Sequence, residues 1–122
     1  MSEIKSFQDL KIWQEAHQLT LRIYKISDKF PKDEIYSLTS QVRKSASSVS
    51  ANIAEGMGRN TTKELMQFCY NARGSIHETI SHLILAKDLC YLAKLEFDEL
   101  EKRYQGLNIG INNFINSLKK TL

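Results

Sequence analysis

The segment His77-Glu-Thr-Ile-Ser-His82 holds two imidazoles and a carboxylate within six residues, the side-chain set of a zinc hydrolase. That chemistry needs histidines four apart on one helix face, with the glutamate between them as general base. Here the histidines are five apart, roughly 140° around a helix, and cannot share one ion. Glu78 and His82 stand at i,i+4 and are expected to form a surface pair. A di-iron bundle is excluded as well, because the Glu-x-x-His sequence it requires does not occur. Neither a Gly-x-Ser-x-Gly elbow, a phosphate-binding loop nor a Gly-x-Gly-x-x-Gly turn is present. Glu55 has no second acid placed to work with it and reads as an ion-pair or cap partner. The expectation is a non-enzymatic chain with no catalytic residues, no metal and no cofactor.

Cations at helical spacing are the remaining chemistry. Lys11, Glu15, Gln18, Arg22, Lys25 and Lys29 form a polar stripe in the first helical segment. Arg43 and Lys44 precede a serine-rich run, Arg59 and Lys63 flank the second connection, and Arg73, Lys87 and Lys94 recur at heptad spacing. Such stripes are either solvated faces or phosphate contacts. The candidates for contact with nucleic acid are Arg22, Lys25, Lys29, Arg43, Lys44, Arg59, Lys63 and Arg73. The net charge of +3, from 17 basic and 14 acidic residues, is only a weak lean toward anionic partners. Symmetric assembly would multiply each weak stripe around a ring.

The run Ser45-Ala-Ser-Ser-Val-Ser-Ala-Asn-Ile-Ala54 looks like a linker, with ten residues and no charge. Its apolar rhythm argues otherwise. Val42, Val49 and Ile53 fall within about 20° of one another at 100° per residue, so the run is expected to be helix. Its remaining faces are small too, where a solvated helix normally carries long polar side chains. Small residues let a second backbone approach closely, either inside one bundle or across subunits. Ser47, Ser50, Ala51, Ala54 and Glu55 are the candidates for a subunit interface.

These residues need long elements to hold them. With one proline and five glycines in 122 residues, the chain has few places to turn, and 42% apolar content supports one globular domain, residues 1–122. Four heptad-spaced segments follow. The first is Ile12, Ala16, Leu19, Ile23, Ile26 and Phe30, stopped by Pro31. The second runs from about Asp33 to Glu55 through Ile35, Leu38, Val42, Ala46, Val49 and Ile53. Gly56 or Gly58 then supplies a left-handed cap, and Thr61-x-x-Glu64 a capping box. The third holds Leu65, Cys69, Ala72, Ile76, Thr79, Leu83, Ala86, Cys90 and Ala93. The fourth starts near Glu96 with Phe97, Leu100, Tyr104, Leu107, Ile111, Phe114 and Leu118, and is read as continuous through Gly106 and Gly110. Short connections make neighbours antiparallel, which predicts an all-α, up-down-up-down four-helix bundle.

Cys69 and Cys90 lie 21 residues apart in one predicted helix, roughly 30 Å, too far to pair within the chain. Both hold core-type positions, which fits buried thiols and a cytoplasmic protein. The start of the chain shows no signal peptide, and no segment is apolar enough to span a membrane.

Three stretches carry a family resemblance: Phe7–Leu19, Gln41–Phe68 and Ala72–Leu89. Asn52-Ile-Ala-Glu-Gly56 with Arg59, and Gly74-Ser75, are the most diagnostic pieces. The chain resembles the four-helix-bundle proteins encoded in intervening sequences of bacterial 23S ribosomal RNA genes. It is also similar to the accessory protein of diversity-generating retroelements, which binds nucleic acid and a reverse transcriptase. The resemblance implies a homopentameric ring with a central channel, contact with structured RNA or DNA, and the serine run close to neighbouring helices. The net charge is lower than in the strongly basic retroelement proteins, so weak binding is expected. The alternative is an assembly or adaptor module that binds another protein, such as a polymerase, without touching nucleic acid.

Overall fold

The computed structural model describes residues 4–122. It contains α1 (Lys11–Ser27), α2 (Leu38–Met57), α3 (Thr62–Asp88) and α4 (Lys94–Lys119), with short 3-10 turns at Phe7–Asp9 and Lys32–Glu34. Strands are absent among the described residues. Each helix packs beside two others, in the order α1, α2, α3, α4 and back to α1. Along every seam one residue number rises as its partner's falls. Thr20 and Ser27 meet Ala46 and Arg43, while Ser45 and Ser48 meet Thr79 and Ser75. Arg73 and Lys87 meet Asn112 and Phe97, while Glu15 and Arg22 meet Arg103 and Glu99. All neighbours are therefore antiparallel, and the chain runs up-down-up-down.

The heptad residues meet in one apolar core. Leu19, Ile23, Val42, Val49, Ile53, Cys69, Ile76, Leu83, Leu100 and Ile111 are fully enclosed. Burial pushes the Cys69 thiol up to about 11, so it stays protonated at neutral pH. In the last turns of α4 the buried position is Ile115, and the expected Phe114 is only half-buried. A straight helix at 3.6 residues per turn drifts about 20° per heptad, which brings the following residue inward.

Several expected boundaries are corrected. α1 ends at Ser27, before Pro31, through tightened turns in which Lys29 and Phe30 donate to Ile26 and Ser27 carbonyls, and Phe30 still points into the core. α2 begins at Leu38, so Ile35 falls in the turn that follows the 3-10 segment and is half exposed. The Glu34 carboxylate lies at the start of α2, accepting from the Tyr91 hydroxyl at 2.9 Å and from Leu38 N–H at 3.4 Å. These bonds, with Tyr91 the larger cause, hold its carboxyl below the usual range. Neither Gly56 nor Gly58 is a left-handed cap, because no glycine has positive φ. Thr61 does cap α3, its hydroxyl accepting from Glu64 N–H at 3.1 Å. The capping box is half formed, because the Glu64 carboxylate accepts from the Thr61 hydroxyl and does not reach back to the backbone.

The third helix stops at Asp88, short of the expected Ala93. Tyr91 N–H reaches the Ala86 carbonyl at 2.8 Å and Cys90 N–H reaches Lys87 at 2.9 Å, which is a Schellman cap. Cys90 occupies its left-handed position at φ 65° and is exposed, so the reading of Cys90 as a buried core thiol is overturned. Glycine is the residue suited to that geometry. Cys90→Gly is expected to stabilise the fold by about 0.5–1 kcal/mol, read as a rise of about 2–4 °C in thermal midpoint.

Candidate nucleic-acid interface

The serine run lies within α2, and its small polar side chains are sorted by seam. Ser45 and Ser48 bond across to α3, and Asn52 bonds Ser48. The Thr79 hydroxyl donates to Ser45 Oγ at 2.8 Å, Ser75 Oγ donates to Ser48 Oγ at 3.0 Å, and Asn52 Nδ2 donates to Ser48 O at 2.8 Å. On the other flank Thr20 Oγ1 donates to the Ala46 carbonyl at 3.1 Å, bringing α1 against α2 backbone. Tight packing within the bundle therefore uses much of the run. Among the interface candidates, Ser47, Ser50 and Ala54 are half-buried, while Ala51 and Glu55 are exposed. Glu55 pairs with Arg59 of its own chain at 2.8 Å.

Gly56, at the end of this run, is buried against α3. A Cβ built there would lie 2.8 Å from Phe68 Cβ and 2.9 Å from Leu65 Cδ1. The diagnostic Asn52–Gly56 segment thus ends where α3 side chains leave no room for a Cβ on α2, which residue types in one helix could not reveal.

The eight cationic candidates do not form one patch. Lys25 and Lys29 lie at the C-terminal end of α1, Arg43 and Lys44 near the start of α2, and the antiparallel fold puts all four at the same end. Arg59 and Lys63 flank the α2–α3 connection at the opposite end, about 24 Å along α2 from Arg43. Arg73 lies between them on the α3–α4 side.

Their charge is unequally free. Arg22 bonds Glu99 at 2.9 Å and Glu96 at 3.4 Å, joining α1 to α4. It holds the Glu99 carboxyl below the ordinary range, chiefly through the hydrogen bond. Arg59 is matched by Glu55 and lies over the Phe68 ring at 4.8 Å. Arg43 donates to Ser27 Oγ at 2.8 Å and lies over the Tyr24 ring, partners that leave its charge uncompensated. Arg73 likewise donates to neutral Asn112 Oδ1 at 2.6 Å and lies over Tyr70. Lys25, Lys29, Lys44 and Lys63 form no ion pair among the described residues. Arg103, which pairs with Glu15 across α1 and α4, belongs to the same set of cross-helix ties and was not singled out by sequence. The signal for it was present: the Glu15 stripe and Arg103 face each other once α1 and α4 are antiparallel.

Glu78 and His82 form the expected pair at 3.3 Å. His77 is turned away from them, its Nδ1 donating to the Arg73 carbonyl at 2.9 Å. No cluster of three metal-ligating side chains occurs among the described residues.

The arrangement is a helical bundle with cations on its ends and small residues on one helix, and residues 8–113 match the profile of the 23S rRNA-intervening sequence proteins. The chain belongs to that family. Among curated proteins no match was found. The family match covers α1 to α3 and most of α4, so the α2–α3 seam and the cationic ends both lie within the shared region. No helix among the described residues is long and apolar enough to cross a membrane.

Proposed function

We propose that this family member is a non-enzymatic, cytoplasmic bundle that assembles with copies of itself and binds structured RNA or DNA weakly through its basic ends. The observation that carries the reading is the gathering of Lys25, Lys29, Arg43 and Lys44 at one end of the bundle, none of them bonded to a carboxylate. Unpaired surface cations release counterions when they meet phosphates, and a ring of copies would add their weak contacts. Membership of a family named for ribosomal RNA intervening sequences is compatible with such a partner.

Assembly into a ring, a homopentamer by the resemblance, is part of the same proposal. Leu21 and Tyr24 of α1 are about half exposed, and Arg43 lies over Tyr24. Ser47, Ser50 and Ala54 follow Arg43 at helical spacing on the same side of α2. Ala51→Glu is therefore expected to leave the folded protomer intact and lower the mass measured by light scattering.

Fluorescence anisotropy of a labelled structured RNA and a DNA duplex, at two salt concentrations, tests the interface. Binding to duplex is expected to fall with log salt at a slope of about −0.9 per phosphate contact. Lys25→Ala and Lys29→Ala should each flatten that slope by about one contact. Wild-type slopes in both variants would remove these lysines from the interface.

A protein-adaptor role is the second reading, favoured by two exposed apolar side chains. Tyr36 is 94% and Leu95 84% exposed, and neither has a packing partner that explains it. Absence of salt-dependent binding to either nucleic acid would select it.

A further inference from the structure

Where α1 closes into α2, the chain leaves a hollow of about 300 Å³, at the small end of the range that holds small molecules. Thr39, in the first turn of α2 and only 4% exposed, lines it. The other buried hydroxyls, of Thr20, Ser27, Ser45 and Thr79, each donate a hydrogen bond to a backbone carbonyl. Thr39 Oγ1 has no such bond, and it is not sealed in the core as the Tyr104 hydroxyl is. A buried hydroxyl is normally bonded, so this one has room for a partner from outside the chain.

Arg43 stands one turn further along the same face of α2 and also lines the hollow. Its Nε donates to Ser27 Oγ at 2.8 Å and its Nη2 to the Tyr24 carbonyl at 3.4 Å, while Nη1 has no protein partner. These bonds and the Tyr24 ring hold the guanidinium in place without matching its charge. Lys32 adds a second cation. Asp28 is the one carboxylate in the lining, and it forms an ion pair with neither. The lining thus carries one net positive charge, which a single carboxylate balances and a phosphate dianion exceeds. Phe30, Pro31 and Ile35 supply apolar walls, and half-exposed Ile35 offers surface that the bundle does not bury.

We infer that this hollow binds a small apolar carboxylate, its oxygens at Arg43 and Thr39 and its apolar body against Phe30, Pro31 and Ile35. A fixed guanidinium and a hydroxyl donor suit a carboxylate, and the apolar walls select what carries it. The site does not depend on phosphate contacts at Lys25 and Lys29.

The test titrates the full chain with N-acetyl-leucine, its neutral amide and inorganic phosphate, followed through the amide resonances of Ser27, Ile35, Thr39 and Arg43. Millimolar N-acetyl-leucine is expected to shift them, and the neutral amide and phosphate to leave them in place. Thr39→Val should weaken N-acetyl-leucine about tenfold, as for one hydrogen bond to a charged group, and Arg43→Met should weaken it at least as much. Because the Thr39 hydroxyl has no internal bond to lose, Thr39→Val should keep the wild-type thermal midpoint. A peptide ending in leucine separates two sources of the same chemistry. Tighter binding than N-acetyl-leucine would assign the site to a chain terminus and weaker binding to a free acid, and both uphold it. Equal shifts from the neutral amide or from phosphate would overturn the inference, because the hollow would then read apolar surface or charge alone. Absence of any shift, with only water in the hollow, overturns it too, as does a lowered midpoint in Thr39→Val. None of these results bears on the duplex slopes of Lys25→Ala and Lys29→Ala, so the two readings fail separately.

Discussion

Gly56→Ala is expected to destabilise the fold by about 1–3 kcal/mol, measured as a lower urea midpoint with an unchanged slope. Helix propensity alone predicts the opposite sign, since alanine is favoured over glycine by about 1 kcal/mol inside a helix. Contact decides the outcome. The added methyl would sit 2.8 Å from Phe68 Cβ, an atom fixed to the α3 backbone, so α2 and α3 must part to admit it. Their separation would disturb the hydroxyl pairs Ser45–Thr79 and Ser48–Ser75 further along the same seam. Gly74→Ala provides the contrast, because the same change there meets open space and should gain stability. Equal effects at the two glycines would show that α2 and α3 do not approach as closely as described.

Ile53→Ala is expected to cost about 2–5 kcal/mol, read from the same denaturation curves. Ile53 is fully enclosed in the apolar core, and truncation removes three carbons from it. A small change at Ile53 would mean that the core can collapse around the missing side chain or that the serine run does not hold its helical register. Ala51, two residues earlier, is exposed, so substitution there should barely change protomer stability. The pair of results separates the core face of the run from the face offered to a partner.

The periodic elements were legible because their causes are local. Ala16, Leu19, Ile23 and Ile26 alternate at three and four residues, and so do Ala72, Ile76, Thr79, Leu83 and Ala86; this spacing alone marks the buried face of a helix. Element ends were less legible. The rhythm carried the third helix through Cys90 toward Ala93, but Cys90 turns out at φ 65° because a Schellman cap closes the helix there. Glycine would have announced that cap, and cysteine concealed it. Ile35 likewise kept the heptad phase while lying in a turn outside α2.

The candidate interface was legible as a set of residue types and much less as a place. Arg22 and Lys25 look equivalent in a stripe of one helix. Glu96 and Glu99, more than seventy positions away, neutralise Arg22, and no carboxylate bonds Lys25. A hollow beside Gly74 was hidden for the same reason, since Asn108 lines it from the facing helix α4.

The sequence by itself determined four amphipathic helices, their order and their antiparallel arrangement, because apolar period and connection length act within one segment or between adjacent ones. Only the tertiary structure decided which hydroxyls of the serine run close the α2–α3 seam, why Gly56 must lack a side chain, and which cations stay unpaired. Those outcomes depend on which distant residues come alongside, and that is set by the packing of all four helices together.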